Sequence, residues 1–177
     1  LALCVCMMGF AKAPKYVFYF IGDGMSLNQV LGTQYFLSQE KGKTGIMPLG
    51  FTAFPYTGLA TTFSASSDVT DSAAGGTALA CGEKTANGSL GLSANQITKV
   101  KSIAEMAMEQ GKRVGIATSV TLNHATPASF YAHQKSRNDY YEIGVELTQS
   151  GFNFFGGGDF EENVKHDDKR APELYKL

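Results

Sequence analysis

Residues 15–25 read KYVFYFIGDGM, a run of aromatic and β-branched residues that stops at an acid set between two glycines. An apolar run without alternation, of strand length and ended by glycine, predicts a β-strand buried on both faces, as in a parallel sheet. Asp23 then stands at the carboxyl end of that strand. The flanking Gly22 and Gly24 also suit a plain turn, so a ligand role and a turn role for Asp23 stand side by side on local sequence alone.

Outward from this stretch, strands and helices alternate. Ser26 is placed to cap a helix running to about Gln39, and TGLATT at 57–62 reads as a second strand. A helix is predicted from Ser72 to just before Gly82. Thr98 offers a cap for a helix carrying Val100, Ile103, Ala104 and Ala107 on one face, with Gly111 ending it before the strand RVGIATSV at 113–120. Thr126-Pro127 starts another helix, and Asn138 a further one that Gly151 closes before FNFF at 152–155. The expected fold class is therefore α/β, a mostly parallel central sheet flanked by helices. In such folds functional groups gather beyond the carboxyl ends of the strands, where Asp23, Ser72 and the TLNHAT loop at 121–126 would lie.

Bulk properties narrow the function classes. With 44% hydrophobic and 18% charged residues in 177, the chain reads as globular and long enough for one core. A net charge of -1, with mixed signs in clusters such as EENVKHDDKR, leaves no basic stripe and argues against nucleic acid as a specific partner. Residues 1–13, LALCVCMMGFAKA, resemble the apolar core and small-residue cleavage site of a secretory signal, and the run is too short to span a bilayer. A buried N-terminal strand is the alternative. The expected division is a signal-peptide remnant at 1–13 and a domain portion at 14–177, with export to a periplasmic or extracellular location. Cys4 and Cys6 leave with the signal, so Cys81 alone remains, and a metal site must use oxygen or imidazole donors.

The second decisive stretch is VTDSAAGGTA at 69–78. Ser72 at a helix start sits beside unpaired backbone N–H groups and the positive end of the helix dipole, a ready place for an anion. Ala73, Ala74, Gly75 and Gly76 would let a tetrahedral oxyanion approach the backbone. The plainer reading is a small-residue helix packed tightly on a sheet. Other glycine motifs fail: GKT at 42–44 has Leu37 where a phosphate loop needs its first glycine, and GEKT at 82–85 splits the Gly-Lys pair. Ser72 is not in a Gly-x-Ser-x-Gly elbow, which weakens a serine hydrolase with His124 or His133 as base.

Taken in order, IGDGM, VTDSAAGGTA, NHATPASFYAH, SRN and FFGGGDF resemble the alkaline phosphatase family, from about Lys15 to Gly158. The resemblance implies a metal-dependent phosphomonoester hydrolase with zinc and magnesium as cofactors, phosphate monoesters as substrates and inorganic phosphate as product. It implies Ser72 as the nucleophile that becomes phosphoserine and a zinc ligand, and Asp23 as a carboxylate shared between zinc and magnesium. Thr126 would be a magnesium ligand, and Arg137 the clamp on two phosphate oxygens. His124 stands where the family varies between aspartate and histidine, so it would bind metal directly or act through water; a partly buried structural histidine is the alternative. His133 and His166 receive no ligand role. A homodimer is also implied.

The family places its remaining carboxylate and histidine ligands in a later part of the chain with no counterpart here. Asp23 and Ser72 cannot complete one tetrahedral zinc, so this chain is expected to be the incomplete N-terminal portion of such a domain and to be inactive alone. Two further readings stay open: a non-catalytic relative that binds phosphate or a partner, and a related phosphodiesterase or sulfatase.

Overall fold

The computed structural model describes residues 14–165 and 172–177, so the expected signal segment and His166 lie outside the described residues. The chain divides into two compact units, Leu1–Phe54 and Pro55–Leu177.

In the first unit, Met25 N–H closes a turn onto the Gly22 carbonyl at 3.2 Å, with Gly24 at φ +68°. A side chain at that left-handed position would be strained, which is why glycine follows Asp23. Helix α1, Leu27–Glu40, begins as the sequence predicts: Ser26 caps it, and Gln29 completes a reciprocal capping box. The strand expected over residues 15–25 does not form. Val17, Phe18 and Phe20 are 74, 78 and 87% exposed, and no ladder bonds join this run to another segment among the described residues. A strand exists only as one side of a ladder, and among its described residues this unit offers no second strand to pair with.

In the second unit, residues 57–62 likewise form no strand, and Leu59 is fully out in solvent. The two strands found among the described residues are β1, Gly115–Thr121, and β2, Phe154–Gly158, and they pair in parallel with Gly115 opposite Phe154 and Thr121 opposite Gly158. Parallel pairing requires a crossover, which is supplied by α4, Ala125–Ala128, and α5, Tyr140–Gln149. The glycines of β2 have a packing reason: a Cβ at Gly157 would lie 2.7 Å from the Thr118 methyl and 3.1 Å from the Val120 carbonyl.

Helix α2, Ser72–Cys81, ends at Gly82, whose φ of +71° makes the left-handed cap that the sequence predicts. Its start differs in detail, because Asp71 is the N-cap and Ser72 the first helical residue. Helix α3, Ile103–Glu109, is capped by Ser102 with Glu105 in a capping box rather than by Thr98; residues 93–98 instead form tight turns around Asn95. Gly111 and Gly151 follow α3 and α5 at φ +74° and +71°, as expected.

The core joins α2, α4 and α5. Ala73, Leu90, Ala125, Ala128, Tyr131, Ala132, Ile143 and Leu147 are buried together, with Phe152, Phe155 and Phe160 packed against them. Tyr131 meets Phe155 edge-to-face at 5.5 Å between ring centres, and Phe155 stacks on Phe152 at 6.0 Å. The small residues after Ser72 belong largely to this packing. Ala73 and Ala74 are buried, and a side chain at Gly76 would collide with Ser129 at the end of α4. Ser129 Oγ spans the contact, donating to the Ala125 carbonyl at 2.8 Å with the Ala73 carbonyl at 3.4 Å.

Candidate functional site

The site is built at the first turn of α2. Asp71 Oδ1 accepts the Ala74 N–H at 2.9 Å, so the capping bond is made by the aspartate and not drawn from the Ser72 hydroxyl. Ser72 is partly buried at the first helical position, where the helix dipole is positive.

The other oxygen of Asp71 gathers two more segments. Oδ2 accepts the Gly88 N–H at 3.1 Å and Arg137 Nη1 at 3.1 Å. Partial burial pushes the Asp71 carboxyl up, but the hydrogen bonds from Ala74, Gly88 and Arg137, with the charge of that guanidinium, outweigh it and hold the group below its ordinary value. Asp71 is therefore ionised at neutral pH, and the arginine is anchored beside the residue that precedes the serine.

Arg137 extends its second terminal nitrogen, Nη2, to His124 Nε2 at 3.3 Å. A guanidinium only donates, so the imidazole presents a lone pair at Nε2 in this contact. His124 is the N-cap residue of α4, and Thr126 lies one residue into that helix. Since α2 and α4 pack together through Gly76 and Ser129, Ser72, Asp71, Arg137, His124 and Thr126 all belong to one neighbourhood of the second unit. Asp23 belongs to the first unit, in the turn before α1.

His133 is engaged elsewhere. Its ring Nε2 donates to the Val100 carbonyl at 3.2 Å and its backbone N–H to Glu146 Oε2 at 2.6 Å, which makes it a tie between α5, the loop after α4 and the segment before α3. Cys81 is half-buried near Glu105, and burial, with the charges of Glu105 and Glu83, pushes its thiol up to about 11, far from the range of a reactive thiolate.

The donors present are of the right kind for zinc or magnesium: a carboxylate at Asp23, hydroxyls at Ser72 and Thr126, an imidazole at His124. Among the described residues no three histidine, cysteine, aspartate or glutamate side chains cluster to hold an ion. Asp71 is the member of this cluster that sequence reasoning passes over. Its signal was an acid directly before the helix, a standard N-cap, but its partnership with Arg137 spans 66 residues.

The chain is thus an α/β protein that brings a serine, an arginine and a histidine to the start of one buried helix. Residues 14–166 match the family described as alkaline phosphatase. A membrane-bound alkaline phosphatase of Bombyx mori is 35% identical over 93% of this chain and 29% of its own length. The tissue-nonspecific isozyme of Gallus gallus is 37% identical over 75% of this chain and 27% of its own. Among solved structures, the alkaline phosphatase of the Antarctic bacterium TAB5 is 38% identical with a TM-score of 0.73, covering 87% of this chain and 42% of that one. A variant of the TAB5 enzyme with Mg bound matches equally well, at 37% identity and a TM-score of 0.73, over 87% of this chain and 41% of that one. The chain belongs to the alkaline phosphatase family. It spans less than a third of the length of these two curated relatives.

Proposed function

We propose that this chain is the nucleophile-bearing N-terminal part of a longer, metal-dependent phosphomonoesterase that works through phosphoserine at Ser72. The observation that carries the reading is the Asp71–Arg137 pair, which holds a guanidinium beside the serine at a helix N-terminus. Arg137 binds the phosphoryl oxygens with a planar fork that a lysine would not reproduce, and the α2 dipole adds to the hold on the anion. Ser72 Oγ attacks phosphorus, the ester P–O bond breaks, and the alcohol leaves with a proton; water then attacks the phosphoserine, releasing inorganic phosphate and restoring the serine.

Asp23, Ser72 and Thr126 would hold zinc and magnesium with further ligands from outside this chain, and His124 would hold metal or neighbour it. Bound metal supplies Lewis-acid stabilisation of the oxyanions and lowers the pKa of the serine hydroxyl and of water. The protein is exported, and no helix among the described residues is long and apolar enough to cross a membrane. A homodimer is part of the same reading.

The test begins with the intact mass of the protein from its source, expected well above the 18.9 kDa of this chain. Turnover of a phosphate monoester, a phosphate diester and a sulfate ester by that one preparation then separates the classes. Preference for the monoester by orders of magnitude supports the reading; equal or greater diester or sulfate turnover replaces it with a related hydrolase, and no turnover leaves a binding protein.

Two variants of the full-length protein probe the roles. Arg137→Ala is expected to weaken inhibition by inorganic phosphate about 10- to 100-fold, the worth of a charge-assisted bond of roughly 1.5–3 kcal/mol. Unchanged inhibition would remove its clamp role. Asp23→Ala is expected to lower zinc and magnesium content together, read by metal analysis of the dialysed protein, and full occupancy of both would remove the shared-ligand role.

A further inference from the structure

The Asn87-Gly88 turn holds both sides of the site from behind. Asn87 Oδ1 accepts the Asp71 N–H at 3.3 Å, while its Nδ2 donates to the Val69 carbonyl at 2.9 Å. One carboxamide thus answers a donor and an acceptor on the stretch of chain that leads into Ser72. The next residue, Gly88, points its N–H at Asp71 Oδ2 at 3.1 Å and receives the Arg137 backbone N–H on its carbonyl at 2.6 Å. Gly88 has φ +86° with open space where a Cβ would go, so it is the backbone conformation, not crowding, that reserves this position for glycine. The turn itself is fixed by the Asn87 N–H, which donates to Ser66 Oγ at 2.9 Å.

We propose that Asn87 is a positioning residue for catalysis, which sets the Asp71–Arg137 pair against Ser72 through its two amide bonds and the adjoining Gly88. This rests on the phosphatase reading above. Only a carboxamide of this length can make both bonds, because aspartate lacks the donor for Val69 and alanine lacks both groups. Asn87 is solvent-exposed and its side chain packs in no core, so its loss is expected to have little effect on folding. The effect falls on geometry, where small displacements of a catalytic constellation lower rate steeply.

The experiment uses the full-length protein and its Asn87→Ala, Asn87→Asp and Arg137→Ala forms, with kcat/KM for a monoester, inhibition by inorganic phosphate, and Tm. The expected results are a loss of kcat/KM of about tenfold or more in both Asn87 variants, weaker phosphate inhibition, and a Tm within about 3 °C of the parent. The double variant Asn87→Ala/Arg137→Ala is expected to be scarcely slower than Arg137→Ala alone, because both act through one group. As a control, Asn153→Ala removes a side chain that accepts the Val114 N–H at 3.0 Å away from this turn, and is expected to lower Tm with kcat/KM unchanged. Asn87→Ala within twofold of the parent, or a loss fully additive with Arg137→Ala, overturns the positioning role while the phosphatase reading stands. A parent protein that turns over no phosphomonoester overturns that reading, and this role with it.

Discussion

Replacing Ser72 by alanine in the full-length protein is expected to lower kcat/KM for a phosphate monoester by at least about 10³-fold, some 4 kcal/mol of transition-state stabilisation. The substitution is structurally mild. Asp71 makes the capping bond to Ala74, so α2 keeps its cap, and alanine is a good helix former at the first position. Arg137 keeps its partners Asp71 and His124, since neither bond involves the serine. Inorganic phosphate should therefore still bind within about tenfold of the parent affinity, while no phosphorylated protein accumulates at low pH in the presence of substrate. That combination, binding kept and covalent transfer lost, distinguishes a nucleophile from a residue that only shapes the pocket. Retention of turnover within tenfold would exclude Ser72 as the attacking group.

The largest effect on folding is expected from Gly91→Ala, a loss of about 3 kcal/mol or more. Two causes add. Gly91 has φ +57°, a left-handed value that a side chain resists, and a Cβ built there would collide with the Ala132 carbonyl and lie 2.9 Å from the His133 ring. Movement cannot relieve the clash cheaply, because this stretch is pinned by neighbouring bonds. Leu90 exchanges backbone hydrogen bonds with Gln134 at 2.9 and 3.1 Å, Gly91 N–H donates to the buried Thr77 Oγ1 at 3.0 Å, and its carbonyl accepts from Val100 at 2.9 Å. The companion Gly82→Ala isolates the backbone cause, since Gly82 has φ +71° with open space around it, and should lose only about 1 kcal/mol. Thermal unfolding of both variants checks the claim; equal shifts in Tm would show that the collision is absorbed.

Much of the local architecture was legible because it is written in short-range chemistry. Ser26, Gly82, Gly111 and Gly151 mark helix ends through hydrogen bonds and dihedral preferences confined to a few residues, and each stands where the sequence places it. The misplacement of the α3 start at Thr98 had a readable remedy, for Ser102 and Glu105 form the spacing of a capping box. The run at 15–25 was harder. Its composition reports that it is suited to burial in a sheet, but no residue within it names the strand that would pair with it. The site divided along the same line. Ser72 and Arg137 stand out as candidates through motifs, whereas the tie from Asp71 to Arg137, and Asn87 behind it, depend on contacts between distant segments. Even the glycines after Ser72 carried two meanings, and the close approach of Ser129 shows that helix packing accounts for Gly76.

The bond between Asp71 and Arg137 also bears on the order of events during synthesis. It joins positions 66 residues apart, so closing that loop costs on the order of 4 kcal/mol of chain entropy before the pair contributes anything. Arg137 emerges from the ribosome after α2, α3, β1 and α4, so the pair cannot close until the 66 residues beyond Asp71 have been synthesised. A nascent chain that ends before Arg137 therefore lacks the pair, whatever else of it has folded. On the phosphatase reading proposed above, the hold on phosphate depends on this long-range closure and not on any single element.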